Sequence, residues 1–496
     1  MAEKYYQQNS WSSGVSESEF IGQKGSFSNA YGIDIHSEPG VIQPSLLPIE
    51  ETGGKIINFC KFAVDSSGGS TFFFGDSVVV LTNGNIYYRS CNTSTGIASW
   101  GTTYVFSQVI GKFTGASEFD GYIYWAVTDP IAIGESFPRN LHRMSITGTD
   151  VVAWGSITLT AYNPMVDMGT YLLIGGGTIL YSVSDGTLTA GGIPDVSLNP
   201  LPNNYSISCL HKYGIDVLVG TTTSGGGTGA KLLRWDLASA YYTQEIDVPE
   251  TSINCFLSIG NQTYFQAGNK GNIYLYDGIG IIPYKKIPQL TEGGNASCNP
   301  KSSANFGGIG YFGISSGYSL SFNPGLYSLG RKNNSFPIVL CHEFPSSKGS
   351  INQMSIGAII SGKNSTGSPY LLFSWKNESS GSCGIDSIYN TTSRVPTSYI
   401  ETQSIMGDRF TQKQFQNYAI SYKQKPSGTD ISLDYFKNYS TGTSRISLTD
   451  KSDYNNMVAD DKIDAGAMKF RITMGSTTSY PKVSSFYTSF NEREVI

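Results

Sequence analysis

An all-β fold is what this sequence predicts, and three observations carry the prediction. A short phrase of aromatic and β-branched residues ending in Gly or another small residue recurs through the middle of the chain. Nothing longer than a turn or two shows the i, i+3, i+4 apolar spacing of an amphipathic helix. From residue 398 onward the strands alternate apolar and polar side chains, the mark of half-buried antiparallel pairing.

The recurring phrase reads Thr71-Phe72-Phe73-Phe74-Gly75, Tyr122-Ile123-Tyr124-Trp125-Ala126, Tyr171-Leu172-Leu173-Ile174-Gly175 and Asp216-Val217-Leu218-Val219-Gly220. It continues as Thr263-Tyr264-Phe265-Gln266-Ala267-Gly268, Ile309-Gly310-Tyr311-Phe312-Gly313 and Ser355-Ile356-Gly357-Ala358-Ile359-Ile360. Successive starts lie 45 to 51 residues apart. A β-rich unit at that period is the signature of a β-propeller, whose four-stranded blades bury their faces against their neighbours. About seven blades are expected over residues 51–395. A second phrase follows in most units: Gly84-Asn85-Ile86-Tyr87, Thr178-Ile179-Leu180-Tyr181, Gly271-Asn272-Ile273-Tyr274 and Pro324-Gly325-Leu326-Tyr327. Looser versions stand at Leu141-His142 and Leu232-Leu233-Arg234-Trp235. The first phrase reads as an inner blade strand and the second as its outer hairpin partner. The Asn-Gly, Gly-Asn and Gly-Gly pairs between them supply the positive φ of tight turns. Cys60, Cys209 and Cys255 precede core strands in similar Ile-x-x-Cys or Ile-x-Cys settings and read as small apolar fillers at equivalent blade positions.

Residues 1–50 fall outside the repeat. They are polar and glycine-rich yet carry Trp11, Phe20, Phe27 and Tyr31 as isolated anchors. This predicts an extended N-terminal arm lying on a surface, either of this chain or of a neighbour. Its part Gly40-Val41-Ile42-Gln43-Pro44-Ser45-Leu46-Leu47 is positioned to add a strand that closes the ring with the last blade, removing exposed edges. At the other end, the polar stretch Asn390-Thr391-Thr392-Ser393-Arg394-Val395-Pro396 marks a boundary. Beyond it, Met468-Lys469-Phe470-Arg471-Ile472-Thr473-Met474 puts four apolar side chains on one face and three polar ones on the other. Ile431-Ser432-Leu433-Asp434-Tyr435 alternates in the same way, and Tyr418, Ile420 and Tyr422 share a face. Residues 396–496 are therefore expected to form a C-terminal β-sandwich.

Composition narrows the function. Charged residues make up 14% of the 496, against about 25% in an average soluble domain. A net charge of −5 and a pI near 5.5 argue against a general nucleic-acid-binding surface, so sequence-specific nucleic acid is not an expected partner. Seven cysteines, an odd number without a Cys-x-x-Cys pair, read as buried free thiols and imply folding in a reducing cytoplasm. The start, Met1-Ala2-Glu3-Lys4-Tyr5-Tyr6-Gln7-Gln8, has no apolar stretch of the signal-peptide kind. No run approaches the ~18 apolar residues of a membrane span. Sequons such as those at Asn92 and Asn261 are expected by chance in a chain this rich in Asn, Ser and Thr.

Candidate chemistry is sparse. Four histidines are few for a metal or catalytic protein, and Cys341-His342 has no second ligand pair at zinc spacing. Gly225-Gly226-Gly227-Thr228-Gly229-Ala230-Lys231 resembles a phosphate loop, but Ala230 separates glycine from lysine and a strand follows, so it reads as a hairpin tip. Ser184-Asp185-Gly186-Thr187-Leu188-Thr189 has the flavour of an Asp-box with the wrong spacing and reads as a turn. Asp450, Asp453, Asp460, Asp461 and Asp464 lack calcium-loop spacing and read as a solvated loop. The 32 tyrosines, mostly inside the repeated strands, read first as packing. No catalytic, cofactor-binding or metal residue is assigned, no cofactor is expected, and the chain is expected to be non-enzymatic.

The segment Ser28-Asn29-Ala30-Tyr31-Gly32-Ile33-Asp34-Ile35-His36-Ser37-Glu38-Pro39-Gly40 carries a Gly-x-Asp-Ile stretch followed by Pro just before the repeats. Tyr399-Ile400-Glu401-Thr402-Gln403-Ser404, then Phe415 and Tyr418-Ala419-Ile420-Ser421-Tyr422, open the final domain. In these phrases and in layout over nearly its whole length, the chain resembles virion structural, tail-associated proteins of tailed bacteriophages and related viruses. The resemblance implies a tail, nozzle or capsid-associated scaffold, localised to the virion and present in many symmetric copies. Its partners would be other virion proteins and copies of itself, with arm and sandwich making intersubunit contacts. The alternative is a host-receptor or glycan-binding module of a tail tip, whose blade loops read the host surface.

Overall fold

The computed structural model describes residues 3–11, 13–16, 25–50, 71–74, 77–82, 85–91, 98–105, 113–127, 139–145, 151–224, 229–287, 295–316, 324–330, 338–341, 354–363, 369–380, 383–389, 393–406, 411–476 and 479–494. Phe20, Cys60, Asn92, His342, residues 225–228 and residues 390–392 lie outside them. The chain is all-β, built of many small sheets, and a single turn of 3-10 helix at Ser452–Tyr454 is the only helical element among the described residues. No helix among these residues is long and apolar enough to cross a membrane.

Among the described residues, seven four-stranded antiparallel sheets follow one another along the chain. The first comprises Thr71–Phe74, Ser77–Thr82, Asn85–Cys91 and Ala98–Val105. The second comprises Phe113–Phe119, Tyr122–Val127, Leu141–Ser145 and Val151–Gly155, and the third Met165–Asp167, Leu172–Gly176, Ile179–Ser184 and Thr187–Ala190. The fourth runs through Tyr205–Tyr213, Asp216–Thr223, Ala230–Trp235 and Gln244–Val248. The fifth runs through Ile253–Ile259, Gln262–Ala267, Asn272–Tyr276 and Ile281–Lys286. The sixth is Ser303–Phe306, Ile309–Ile314, Gly325–Leu329 and Ile338–Cys341, and the seventh Met354–Lys363, Pro369–Asn377, Cys383–Tyr389 and, from the arm, Ile49–Glu50. The first strand of each sheet lies beside the first strand of the next, and that of the seventh lies beside Thr71–Phe74.

The recurring phrase occupies the second strand in five sheets, while its first and last copies fall on first strands. In those two sheets the second strands are Ser77–Thr82 and Pro369–Asn377. The offset has a physical reason. A strand flanked on both sides and packed on both faces reads as a continuous apolar run, and Phe72–Phe74 and Ile356–Ile360 imitate that run from the neighbouring position. The second phrase forms third strands, as in Ile179–Ser184 and Asn272–Tyr276. Turns such as Asp185-Gly186, with φ of 45° and 72°, join the strands as tight hairpins.

At the glycines that end three of the phrases, Gly175, Gly220 and Gly313, one sheet meets the next. A Cβ on Gly175 would stand 2.6 Å from Ile207 Cγ2, and one on Gly313 2.3 Å from Ile356 Cγ2, in both cases on the following sheet. On Gly220 it would stand 2.4 Å from Cys209 Sγ and 2.9 Å from Ile253 of the following sheet. Ile207 and Ile253 each precede a bulge, and Cys209 and Cys255, both buried, follow it at matching places in the fourth and fifth sheets. The Ile-x-Cys signal thus marks a kinked first strand whose isoleucine fills the space a glycine leaves on the sheet before.

Two further sheets, each of six strands, pack face to face at the C-terminal end. One contains Lys482–Glu494 and Thr411–Gln424, the other Ala467–Gly475 and Asp430–Lys437. Phe470 fills the space between them, its ring 6.1 Å from Phe415 and 5.0 Å from Phe486. Met468, Phe470, Ile472 and Met474 are buried and Lys469, Arg471 and Thr473 are not, as the alternation requires.

The arm belongs to its own chain. Lys4–Gln8 pairs with Lys482–Glu494, and Asn29–Tyr31 pairs with Thr397–Glu401, so each C-terminal sheet includes an N-terminal strand. Trp11 is fully buried and its Nε1 donates to Ser484 O at 3.3 Å, while Tyr31 stacks on Tyr399. Gly32, at φ +58°, leaves no room for a side chain over Val395. Asp34 accepts the backbone N–H groups of His36 and Ser37 and the Gln43 amide. Burial alone pushes its carboxyl up, but these donors outweigh it and hold the group below the usual range. The arm also reaches the seven-sheet array, with His36 Nε2 at 3.0 Å from Ser328 Oγ and its ring filling the space over Gly330. One continuous core runs from the fifth, sixth and seventh sheets through Trp11 and Phe27 into the C-terminal sheets. The expected closing strand is displaced. Gln43–Pro44 pairs with Ile33–Asp34 and Ile42 bridges to Val483, while Ile49–Glu50 is the segment that completes the seventh sheet, opposite Asp386 and Ser387.

Candidate functional site

A cavity of about 320 Å³ lies among the first strands of the third, fourth, fifth and sixth sheets. Because these first strands lie side by side, side chains far apart in sequence converge there. Its walls combine Met165 and Val166, His211, Phe256 and Ser258, and Pro300, Lys301, Ser303 and Asn305. That volume is at the small end of the range for ligand sites.

Lys301 carries the only formal charge among the lining side chains, since His211 is held neutral as described below. It precedes the first strand of the sixth sheet, and its backbone carbonyl accepts Ile359 N–H of the seventh at 2.8 Å, which fixes its backbone. Its Nζ reaches across to donate to Met165 O of the third sheet at 3.0 Å. No carboxylate lies within ion-pair distance of it among the described residues. Removal from water holds the amine below the ordinary lysine range, opposed only by the Cys255 thiol. Beside it, Tyr162 Oη donates to Asn299 Oδ1 at 3.2 Å, a second bond between the same two parts of the chain.

His211 stacks on Phe256, with ring centroids 5.5 Å apart, and its Nε2 is 2.6 Å from Ser258 Oγ. Ser258 Oγ is in turn 3.0 Å from Thr263 Oγ1. Burial first, and the Lys301 charge second, push the imidazole down to about 4, so it is neutral near pH 7. The cavity therefore presents one ammonium, a neutral imidazole and hydroxyl and amide groups over an apolar floor. That set can bind an anionic group and hydrogen-bond a polar body. On the second sheet, burial and then the Asp167 carboxylate push the Glu118 carboxyl up.

The motifs weighed from the sequence lie elsewhere. Lys231 sits on a strand, ion-paired with Glu245 and with Asp247 at 3.1 Å, and no helix follows the glycines. Asp185-Gly186 is a hairpin turn. Asp450 accepts from Tyr422 and Lys425 at 2.9 and 2.8 Å. Its carboxyl falls below the usual range, chiefly through Lys425. Asp453 lies in the 3-10 turn and Asp464 on a strand paired with Gln414. Among the described residues no group of three His, Cys, Asp or Glu side chains is placed to hold a metal ion. Lys301, His211 and Ser258 were not singled out in sequence, because each stands alone, His211 and Ser258 on separate strands and Lys301 in the turn before a third, with no local pattern.

No family model matches the chain, and neither does any curated protein. Among solved structures it is similar to the computationally designed Ika8 protein, at 12% identity and a TM-score of 0.39, over 68% of this chain and 100% of that one. It is also similar to the extracellular domain of the one-component system BT4673 from B. thetaiotaomicron, at 17% identity and a TM-score of 0.44. That match covers 83% of this chain and 48% of the other, about half its length. A third similarity is to an exo-β-1,3-galactanase from Phanerochaete chrysosporium, at 9% identity and a TM-score of 0.31, over 89% and 98% of the two chains. This last finding corrects the expectation of a non-enzymatic chain: one of the structures it is similar to is an enzyme, and the non-enzymatic label is withdrawn.

Proposed function

We propose that this chain is a virion structural component of a tailed bacteriophage or related virus, in the tail, nozzle or capsid-associated layer, and that it serves as a rigid assembly block. In this reading residues 51–395 form a seven-bladed β-propeller, residues 396–496 a β-sandwich, and residues 1–50 the arm that joins them. The observation that carries it is the path of the arm. It contributes a strand to both C-terminal sheets, anchors His36 on the sixth sheet and completes the seventh with Ile49–Glu50. Stitching of this kind suits a load-bearing part, because the two units cannot move apart without breaking strand pairing. Closed symmetric assemblies reuse one interface many times, so many copies in a ring or tube are proposed, in contact with other virion proteins, after folding in the host cytoplasm. The test is electron microscopy of the native particle with the chain labelled. Symmetric copies at a fixed place are expected; particles lacking the chain, or a protein that stays monomeric with no assembly partner, refute the proposal.

A second reading, a host-receptor or glycan-binding module, is favoured by one surface feature. Ile215 and Ile279 are 85% exposed and Tyr241 is 68% exposed, on turns of the fourth and fifth sheets. The Gln244 amide donates to Ile279 O, tying the fourth sheet to the turn that carries Ile279. Binding of the purified chain to a glycan array, lost on replacing these three residues by Ser, supports that module; an unreactive array counts against it.

A further inference from the structure

We propose that the cavity among the first strands of the third to sixth sheets is a binding site for a monosaccharide-sized carboxylate, a hexuronate, whose carboxylate pairs with the Lys301 amine. The inference stands apart from both readings of the whole chain, since neither assigns a ligand to this cavity. Three observations carry it. A partly enclosed ammonium with no carboxylate partner among the described residues is costly unless a counter-charge is supplied, and Lys301 spends one N–H on Met165 O and keeps two for a ligand. The space beside it, about 320 Å³, admits one small molecule and not an oligomer. Around that space polar and apolar groups are mixed: Ser258 and Asn305 offer bonds to ring hydroxyls, and Met165 and Leu257 offer a surface to the C–H face of a pyranose. A carboxylate seated on Lys301 also lies near His211, whose imidazole already feels the lysine charge.

The test is calorimetric titration of the full chain at pH 7 with galacturonate, glucose and inorganic phosphate, on the wild type and on Lys301→Met. Galacturonate is expected to bind in the millimolar range or tighter, at least about tenfold tighter than glucose or phosphate. In Lys301→Met its affinity falls at least about tenfold. No galacturonate binding up to about 50 mM overturns the proposal, as does equal binding of glucose or phosphate, or unchanged affinity in the variant. Lys301 also bridges two sheets, so the variant's fold is checked by circular dichroism. Should it not fold, histidine-selective NMR of the wild type decides. Saturating galacturonate places a negative charge near His211, so its pKa rises from about 4; a His211 titration that ligand leaves unmoved overturns the site.

Discussion

Gly220→Ala tests the packing between successive sheets at one atom. The added methyl carbon falls 2.4 Å from Cys209 Sγ and 2.9 Å from both Cβ and Cγ2 of Ile253. In an open strand the same change is favourable by about 0.4–1 kcal/mol, because alanine has less backbone freedom to lose. Here three atoms block the methyl, two of them on the next sheet, and overpacking of this kind costs about 1–3 kcal/mol. Packing outweighs the backbone gain, and the net sign is destabilising. A thermal melt followed by circular dichroism reads the effect, at up to about 2–4 °C per kcal/mol and less for a chain longer than 250 residues. The double variant Cys209→Ala/Gly220→Ala removes the closest atom while leaving the Ile253 contacts. It is expected to regain part of the loss, with a coupling of at least about 0.5 kcal/mol. A melt unchanged by Gly220→Ala, or strictly additive effects in the double variant, refutes the claim that this glycine exists to admit the next sheet.

Three further outcomes are expected. Trp11→Ala empties a fully buried site between arm and C-terminal sheets and is expected to cost about 3–5 kcal/mol, seen as a lower melting temperature and early proteolytic release of the N-terminal arm. Ile49 and Ser387 are cross-strand partners, and such pairs lie about 4.5–5.5 Å apart, within disulfide reach. Ile49→Cys/Ser387→Cys is therefore expected to cross-link within one chain on mild oxidation, as read by mass spectrometry of the digest. Stability is expected to fall with acid: His211 and His142 are both pushed down to about 4, chiefly by burial. The unfolded chain binds their protons from about pH 6.5 downward while the folded chain does not until about pH 4, so each costs up to about 3 kcal/mol across that window. His211→Gln is expected to flatten the pH dependence of urea melts between pH 7 and 4.

Much of the fold was legible because burial leaves a periodic trace. The apolar run at Leu172–Ile174 and the alternation at Met468–Met474 each report local surroundings directly. The arm was legible only as anchors. That Trp11 and Tyr31 are apolar says they are covered, but not that Ser484 and Tyr399 of the same chain cover them. The closing strand was misplaced by a few residues because Val41-Ile42 is as apolar as Ile49, and its burial comes from the C-terminal sheet through Val483. The cavity was not legible. Its lysine, histidine and serine sit at 301, 211 and 258, each an ordinary residue on its own stretch, and only the side-by-side arrangement of first strands brings them together.

An experimental density map of the full chain, by crystallography or electron microscopy, tests the arrangement most directly. Seven separate four-stranded sheets arranged in a cycle are expected, with Ile49–Glu50 hydrogen-bonded beside Asp386 and Ser387. A single continuous barrel, or residues 49–50 paired elsewhere, contradicts it.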